Sequence, residues 1–330
     1  MRAFLQNLFN IPILCFLISF SLGCLFPRFK FEKLIKTTNQ WSSFYLIIAI
    51  GLKGGLAFSS CTVFNEKTVT LIILAISFSL FFPVLGYMLL LKTTSIDRVT
   101  CAAIAAHYGS ISISTFAAAT SVLAKHSIMY CGYIVAVITL MEIPALFSAI
   151  YLCGEYKDTE NFLNKRNSFS DFLKTSIFNN KIVLLLIGSL ILGYFFHIFS
   201  YHHFTDPIIN PFNIILSVFL VTMGFNVARQ SKSLKKFNFA LGMFGIYIPI
   251  IGSFIGLGMS WLINLDLGTG FLFTVLCASS SYIVVPAALR IMLPRAQESI
   301  YLPMSIAITF PFNILFGIPF YFDLSVKILK

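Results

Sequence analysis

Ten stretches of mostly apolar residues, each long enough to cross a bilayer, constrain this chain more than any other feature of its sequence. A hydrocarbon layer of about 30 Å needs roughly 20 such residues at 1.5 Å rise. The runs fall near 10–26, 43–63, 69–91, 99–124, 127–152, 181–199, 211–228, 237–263, 268–293 and 299–322. Backbone polar groups in lipid must be satisfied within the segment, so unbroken runs of this length predict helices and exclude a strand barrel. Composition agrees: 58% of the 330 residues are hydrophobic and 11% charged, too few charges for a soluble surface. The expectation is an all-α polytopic membrane protein of ten transmembrane helices. The first run ends at Phe26-Pro27-Arg28 without a small-residue cleavage site, so it is expected to remain as a spanning helix. Seven cysteines, Cys15, Cys24, Cys61, Cys101, Cys131, Cys153 and Cys277, stand singly in apolar segments and read as lipid-compatible fillers, not as a disulfide framework or metal site.

The charge balance of +11 contains no basic run suited to nucleic acid and acquires meaning only from its placement. Alternating the connections between two faces puts 17 of the 23 Lys and Arg residues on one face and 5 on the other, with Lys53 inside a span. Basic residues are retained on the cytoplasmic side. This predicts both termini outside, the 154–180 loop in the cytoplasm, and a multi-pass location in a bacterial-type inner (cell) membrane.

Five spans precede the 154–180 loop and five follow it, so homologous halves, 1–153 and 181–330, would lie upside down relative to each other as a 5+5 inverted repeat. Residue patterns match across the halves. Ile50-Gly51-Leu52-Lys53-Gly54-Gly55 in span 2 faces Met223-Gly224-Phe225-Asn226 in span 7. The polar interruption Gly109-Ser110-Ile111-Ser112-Ile113-Ser114-Thr115 in span 4 faces Ala278-Ser279-Ser280-Ser281-Tyr282 in span 9. Met141-Glu142-Ile143-Pro144 in span 5 faces Phe310-Pro311-Phe312-Asn313 in span 10.

Spans 4 and 9 are therefore expected to be broken near mid-membrane, with Ser114 or Thr115 capping a half-helix from near Phe116, and Pro286 in the first turn of the other. Each break exposes one helix N-terminus with free N–H groups and one C-terminus with unpaired carbonyls. Opposed N-termini favour a small anion; carbonyls with serine hydroxyls favour a small hard cation such as Na⁺. Candidate substrate-binding residues are Gly109, Ser110, Ser112, Ser114, Thr115, Ser279, Ser280, Ser281 and Tyr282, with Na⁺ near Ser112, Ser280 and Glu142. The alternative is that the hydroxyl clusters only join tightly packed helices.

Lys53 and Glu142 each lie about 11 residues from the cytoplasmic ends of their spans, roughly 16 Å deep, where an unpaired charge is costly. Either they pair statically, or Glu142 serves a cation site or gate with Lys53 as anion attractor. His107, just before the first break, is read either as a pH-sensitive group or as a neutral packing histidine; Asn226 and Asn313 complete the cation or gating candidates. No nucleophile, acid–base pair or metal set suited to an enzyme stands near an interface, and a scaffold would not explain two matched breaks. An organic-anion or proton-coupled carrier remains an alternative within transport.

Along these segments, with Pro286-Ala287-Ala288-Leu289-Arg290, the chain resembles the sodium-dependent bicarbonate transporter family known from cyanobacteria. The resemblance implies Na⁺-coupled bicarbonate uptake by alternating access, spans 3–5 and 8–10 moving against spans 1, 2, 6 and 7, and a homotrimer. Bile-acid sodium symporters are similar at greater distance, in architecture. Two positions depart from the family pattern: Tyr282 stands where it has Asp, and Asn226 where it has Glu. Neutral oxygens there weaken a cation site.

Overall fold

The computed structural model describes residues 11–26, 32–58, 66–153, 181–199, 202–231, 234 and 237–329. The 154–180 loop, Cys61 and the basic residues at 27–31 lie outside them, as do the side chains of His202, His203 and Arg290. Every regular element among the described residues is a helix. In chain order these are α1 (Ile11–Leu25), α2 (Glu32–Phe58), α3 (Glu66–Thr93), α4 (Arg98–Gly109), α5 (Ile113–Lys125), α6 (Tyr133–Leu152), α7 (Lys181–Ile198), α8 (His202–Ile209), α9 (Phe212–Gln230), α10 (Phe239–Leu262), α11 (Leu267–Cys277), α12 (Val284–Met292) and α13 (Glu298–Ile328). Among the described residues, six stretches have the length and apolarity to cross a bilayer: α3, α4 with α5, α6, Thr205–Gln230, α10 and α13. Ile11–Leu25, Leu184–Ile198 and Leu267–Cys277 are apolar but shorter. The last is short because its span is cut at the serine cluster.

Packing separates two groups. α1 lies along α9 and α7 along α2, while α9 also touches α2. Small residues permit the close approach that helix association in lipid favours. A Cβ on Gly51 would strike the Ser189 hydroxyl, and one on Gly55 the backbone of α7 at Leu190 and Tyr194. In the second group α3 packs on α4 and α6, and α10 on α11 and the middle of α13.

The second group carries paired local features. α3 and α10 each contain an internal proline, Pro83 and Pro249. α4 and α11 each begin at an aspartate cap: Asp97 accepts from the Thr100 N–H at 2.8 Å and Asp266 from the Thr269 N–H at 2.9 Å. Both threonine hydroxyls accept a backbone N–H from a distant connection, that of Gln297 at 3.0 Å and that of Cys131 at 2.8 Å. A capping carboxylate supplies an acceptor and the negative charge that a helix N-terminus attracts.

Two expectations need correction. Ser112, not Ser114 or Thr115, caps α5, which begins at Ile113; the chain returns to helix after a break of only three residues, so the cap falls earlier. Pro286 stands third in α12, within its first turn as expected, and the N-cap is Ile283 without a side-chain bond. Cys131 is disulfide-bonded, and the five other cysteines among the described residues are free, so its partner is not one of them.

Candidate functional site

The two helix interruptions, residues 110–112 and 278–283, meet inside the second packing group. They touch directly: the Ser112 N–H donates to the Ser279 hydroxyl at 3.0 Å, and the Ser281 N–H donates to the His107 carbonyl at 2.8 Å. Each break thus satisfies part of the backbone the other leaves open. The N-terminal turns of α5 and α12 face one cavity, lined by Ile111, Ser112, Ile113, Glu142, Ser281, Tyr282, Ile283 and Val284. Its volume is about 10 Å³, room for about one water and not for a polyatomic anion. Positive ends of two helix dipoles converge on it.

The freed carbonyls do not stand empty. Ser79 of α3 donates to the Gly109 carbonyl at 2.5 Å and also bonds the Met141 carbonyl on α6. Asn313 of α13 donates from Nδ2 to the Ala278 carbonyl at 2.8 Å, while its Oδ1 accepts from the Tyr321 hydroxyl at 3.0 Å. Within the first break, Ser112 Oγ accepts from the Thr115 N–H at 3.2 Å and from the Thr115 hydroxyl at 2.9 Å. Across the second, Ser280 and Ser305 hydroxyls lie 2.8 Å apart, Ser279 donates to the Leu276 carbonyl at 2.8 Å, and Ser281 Oγ accepts from the Val285 N–H at 3.4 Å.

Against this order, unsatisfied atoms stand out. Five buried side-chain polar atoms among the described residues have no hydrogen-bond partner: His107 Nε2, Ser110 Oγ, Glu142 Oε2, Tyr282 OH and Ser325 Oγ. Four belong to the interruptions and the residues against them. The Tyr282 hydroxyl lies beside those of Ser112 and Ser114 without reaching bonding geometry. Buried polar groups left unpaired are costly, and their concentration here leaves hydrogen-bonding capacity that a polar occupant can take up.

The sequence candidates divide clearly. Gly109, Ser110, Ser112, Ser114, Thr115, Ser279, Ser280, Ser281 and Tyr282 are all buried at or beside the breaks, and Glu142 and Asn313 join them. A side chain at Gly109 would strike Pro83, so glycine there keeps α3 against the break. His107 contributes its carbonyl; its Nδ1 contacts the Ala103 carbonyl at 2.6 Å, which can only accept, so Nδ1 carries the proton. Its ring lies against Tyr301. Asn226 bonds within its own helix, to the Met223 sulfur at 4.0 Å, and is not among the cavity residues.

Lys53 and Glu142 do not pair. The Lys53 ammonium sits over the Phe212 ring, 3.8 Å from its centroid. Neighbouring Gly54 abuts Val135 near the start of α6, while Glu142 lies seven residues further along that helix, about 10 Å deeper at 1.5 Å per residue. Equal depths follow from a span 2 that begins at 43, whereas α2 begins at Glu32.

Four site residues escape a reading by local pattern: Ser79, Ser305, Thr309 and Tyr321. Thr309 joins the Tyr108 hydroxyl at 2.7 Å and donates to the Gly245 carbonyl at 2.8 Å. A signal was present, since Ser305, Thr309 and Asn313 recur every four residues on one face of an apolar span. Two π-helical turns, Met304–Thr309 and Asn313–Gly317, widen α13 at this stripe; such turns recur at functional sites.

The chain matches the family model of the Na⁺-dependent bicarbonate transporter superfamily over residues 12–326, nearly its whole length, and belongs to that superfamily. It is accordingly a multi-pass membrane transporter and not an enzyme. No curated protein matches it.

Proposed function

We propose that this protein imports bicarbonate together with Na⁺ by alternating access, and that the two interruptions form its substrate site. One observation carries the proposal: two helix N-termini converge on a cavity lined by Glu142 and Tyr282, each with an unpartnered oxygen. The N-terminal turns supply positive potential and N–H donors for the anion. Ser110, Ser112, Ser114, Thr115, Ser279, Ser280, Ser281 and Tyr282, with the backbone at Gly109, replace its hydration. Na⁺ takes oxygens from Ser112, Ser280 and the Glu142 carboxylate, whose charge the cation compensates. Glu142 is the carboxylate at the cavity, while neutral Tyr282 and Asn226 hold the positions where the family pattern has acids.

The cavity is too small for bicarbonate as it stands, so this arrangement corresponds to a closed step, and loading requires the breaks to part. The packing groups supply the moving pieces: α3–α6 with α10–α13 displaced against α1, α2, α7 and α9. We further propose ten crossings as a 5+5 inverted repeat, halves 1–153 and 181–330 joined by a cytoplasmic 154–180 loop, and assembly as a homotrimer. The paired prolines, aspartate caps and threonine bonds of α3–α4 and α10–α11 support the repeat. The disulfide at Cys131 supports the orientation, because the 126–132 connection falls on the outer face, where disulfides persist.

Purified protein in liposomes, given labelled bicarbonate with and without an inward Na⁺ gradient, tests the function. Gradient-driven accumulation competed by unlabelled bicarbonate is expected. Flux independent of Na⁺ removes the coupling, and no bicarbonate flux removes the substrate.

A further inference from the structure

We infer that Lys53 captures the anion on its way to the cavity, at the outer mouth of the seam between α2 and α9 on one side and α5 and α6 on the other. This rests on the transport function proposed above and adds to it the residue that selects an anion before the site is reached.

Three observations converge on the lysine. First, its half-buried ammonium contacts an aromatic face and forms no ion pair among the described residues. A cation–π contact returns only part of the hydration a withdrawn ammonium loses, so an anion arriving there is favoured over the aromatic ring.

Second, Lys53 stands where two packing groups abut. Gly51 and Gly55 hold α2 against α7, while Gly54 meets Val135 of α6, and both α2 and α9 also touch α5. α5 starts and α6 passes at the cavity wall, at Ile113 and Glu142. The lysine is therefore about 10 Å from the level of Glu142, counted along α6 at 1.5 Å per residue, on the side where α6 begins. The proposed topology puts that side outside.

Third, the cavity is itself poorly equipped to attract an anion from a distance. Its eight lining residues include one carboxylate and no lysine or arginine. Helix dipoles act within about one turn, and an ionised Glu142 opposes an approaching anion. A cation set in a low-dielectric cleft upstream raises the local anion concentration, by about tenfold or more. Phe212, the first residue of α9, holds the ammonium there without neutralising it.

The division of labour gives a sharp test: removing the charge should weaken anion capture and leave Na⁺ binding at the cavity alone. In liposomes with an inward Na⁺ gradient, Lys53→Met is expected to raise the half-saturating external bicarbonate concentration about tenfold, the lower end of such focusing. Maximal rate and half-saturating Na⁺ should stay within about twofold of the parent, with Lys53→Arg restoring bicarbonate half-saturation. Raising ionic strength with an impermeant salt at fixed Na⁺ should weaken bicarbonate capture by the parent and not by Lys53→Met. Lys53→Gln serves as the neutral variant where Lys53→Met does not insert. Unchanged bicarbonate half-saturation, an equal shift in Na⁺ half-saturation, or failure of Lys53→Arg to rescue would overturn the inference while the transport reading stands. Absence of Na⁺-driven bicarbonate uptake by the parent protein would overturn that reading instead, and this inference with it.

Discussion

Asn313 offers the cleanest measurement of what holds the second interruption together. Its side chain is 1% exposed and spends both polar ends internally, Nδ2 on the Ala278 carbonyl and Oδ1 on the Tyr321 hydroxyl. Replacing it by leucine, of similar volume, leaves both partners orphaned. Each buried unsatisfied group costs about 1–3 kcal/mol, so the two together cost about 3 kcal/mol at about 1.5 each. Tyr321→Phe alone strands only the Asn313 oxygen, about 1.5 kcal/mol. In the double variant the hydroxyl is gone and only the Ala278 carbonyl remains unpaired, so the double variant should be more stable than Asn313→Leu by about 1.5 kcal/mol. At about 2 °C per kcal/mol for a chain of this size, the apparent melting midpoint should fall about 6 °C for Asn313→Leu and about 3 °C for the double variant. The buried free thiols Cys101, Cys153 and Cys277 provide the signal, since a thiol-reactive fluorophore reaches them as the protein opens in a temperature ramp. A double variant that melts at or below Asn313→Leu would refute the relay from Tyr321 through Asn313 to the break.

Glu142→Gln keeps shape and removes charge; because the Oε2 has no partner to lose, folding should be retained while half-saturating Na⁺ in liposome uptake rises at least about tenfold, the equivalent of about 1.4 kcal/mol. Gly51→Val drives a side chain into Ser189, so folded yield by size-exclusion chromatography should drop severalfold, and pairing it with Ser189→Gly should recover part of that loss. If the proposed orientation places the Cys131 disulfide outside, a membrane-impermeant reductant applied to sealed right-side-out vesicles should make Cys131 available to an impermeant maleimide; labelling only after the membrane is permeabilised would reverse that orientation.

The positions of the interruptions were legible because polar side chains inside an apolar span are expensive and appear there for a reason. The helices stop within or beside the runs read from the sequence, after Gly109 and after Cys277. Helix beginnings were legible less finely. A serine-rich run offers several caps, and the choice of Ser112 depends on its N–H being taken by Ser279 from the other break. Ser79 and Tyr321 gave no local sign, since a lone hydroxyl in an apolar helix looks the same whether it bonds its own turn or a carbonyl sixty residues away.

By itself the sequence determined the helical class, the bilayer as solvent, the places of interruption and the residue types offered to an ion, because each follows from local costs: hydration of side chains, satisfaction of backbone groups and the periodicity of apolar surface. Tertiary structure decided what those residues meet. It set Lys53 on Phe212 rather than on Glu142, closed the freed carbonyls with Ser79 and Asn313, and left Glu142 and Tyr282 with unpaired oxygens at the cavity. Such pairings depend on the relative depth and rotation of helices far apart in the chain, which close packing at small residues fixes and no local pattern encodes.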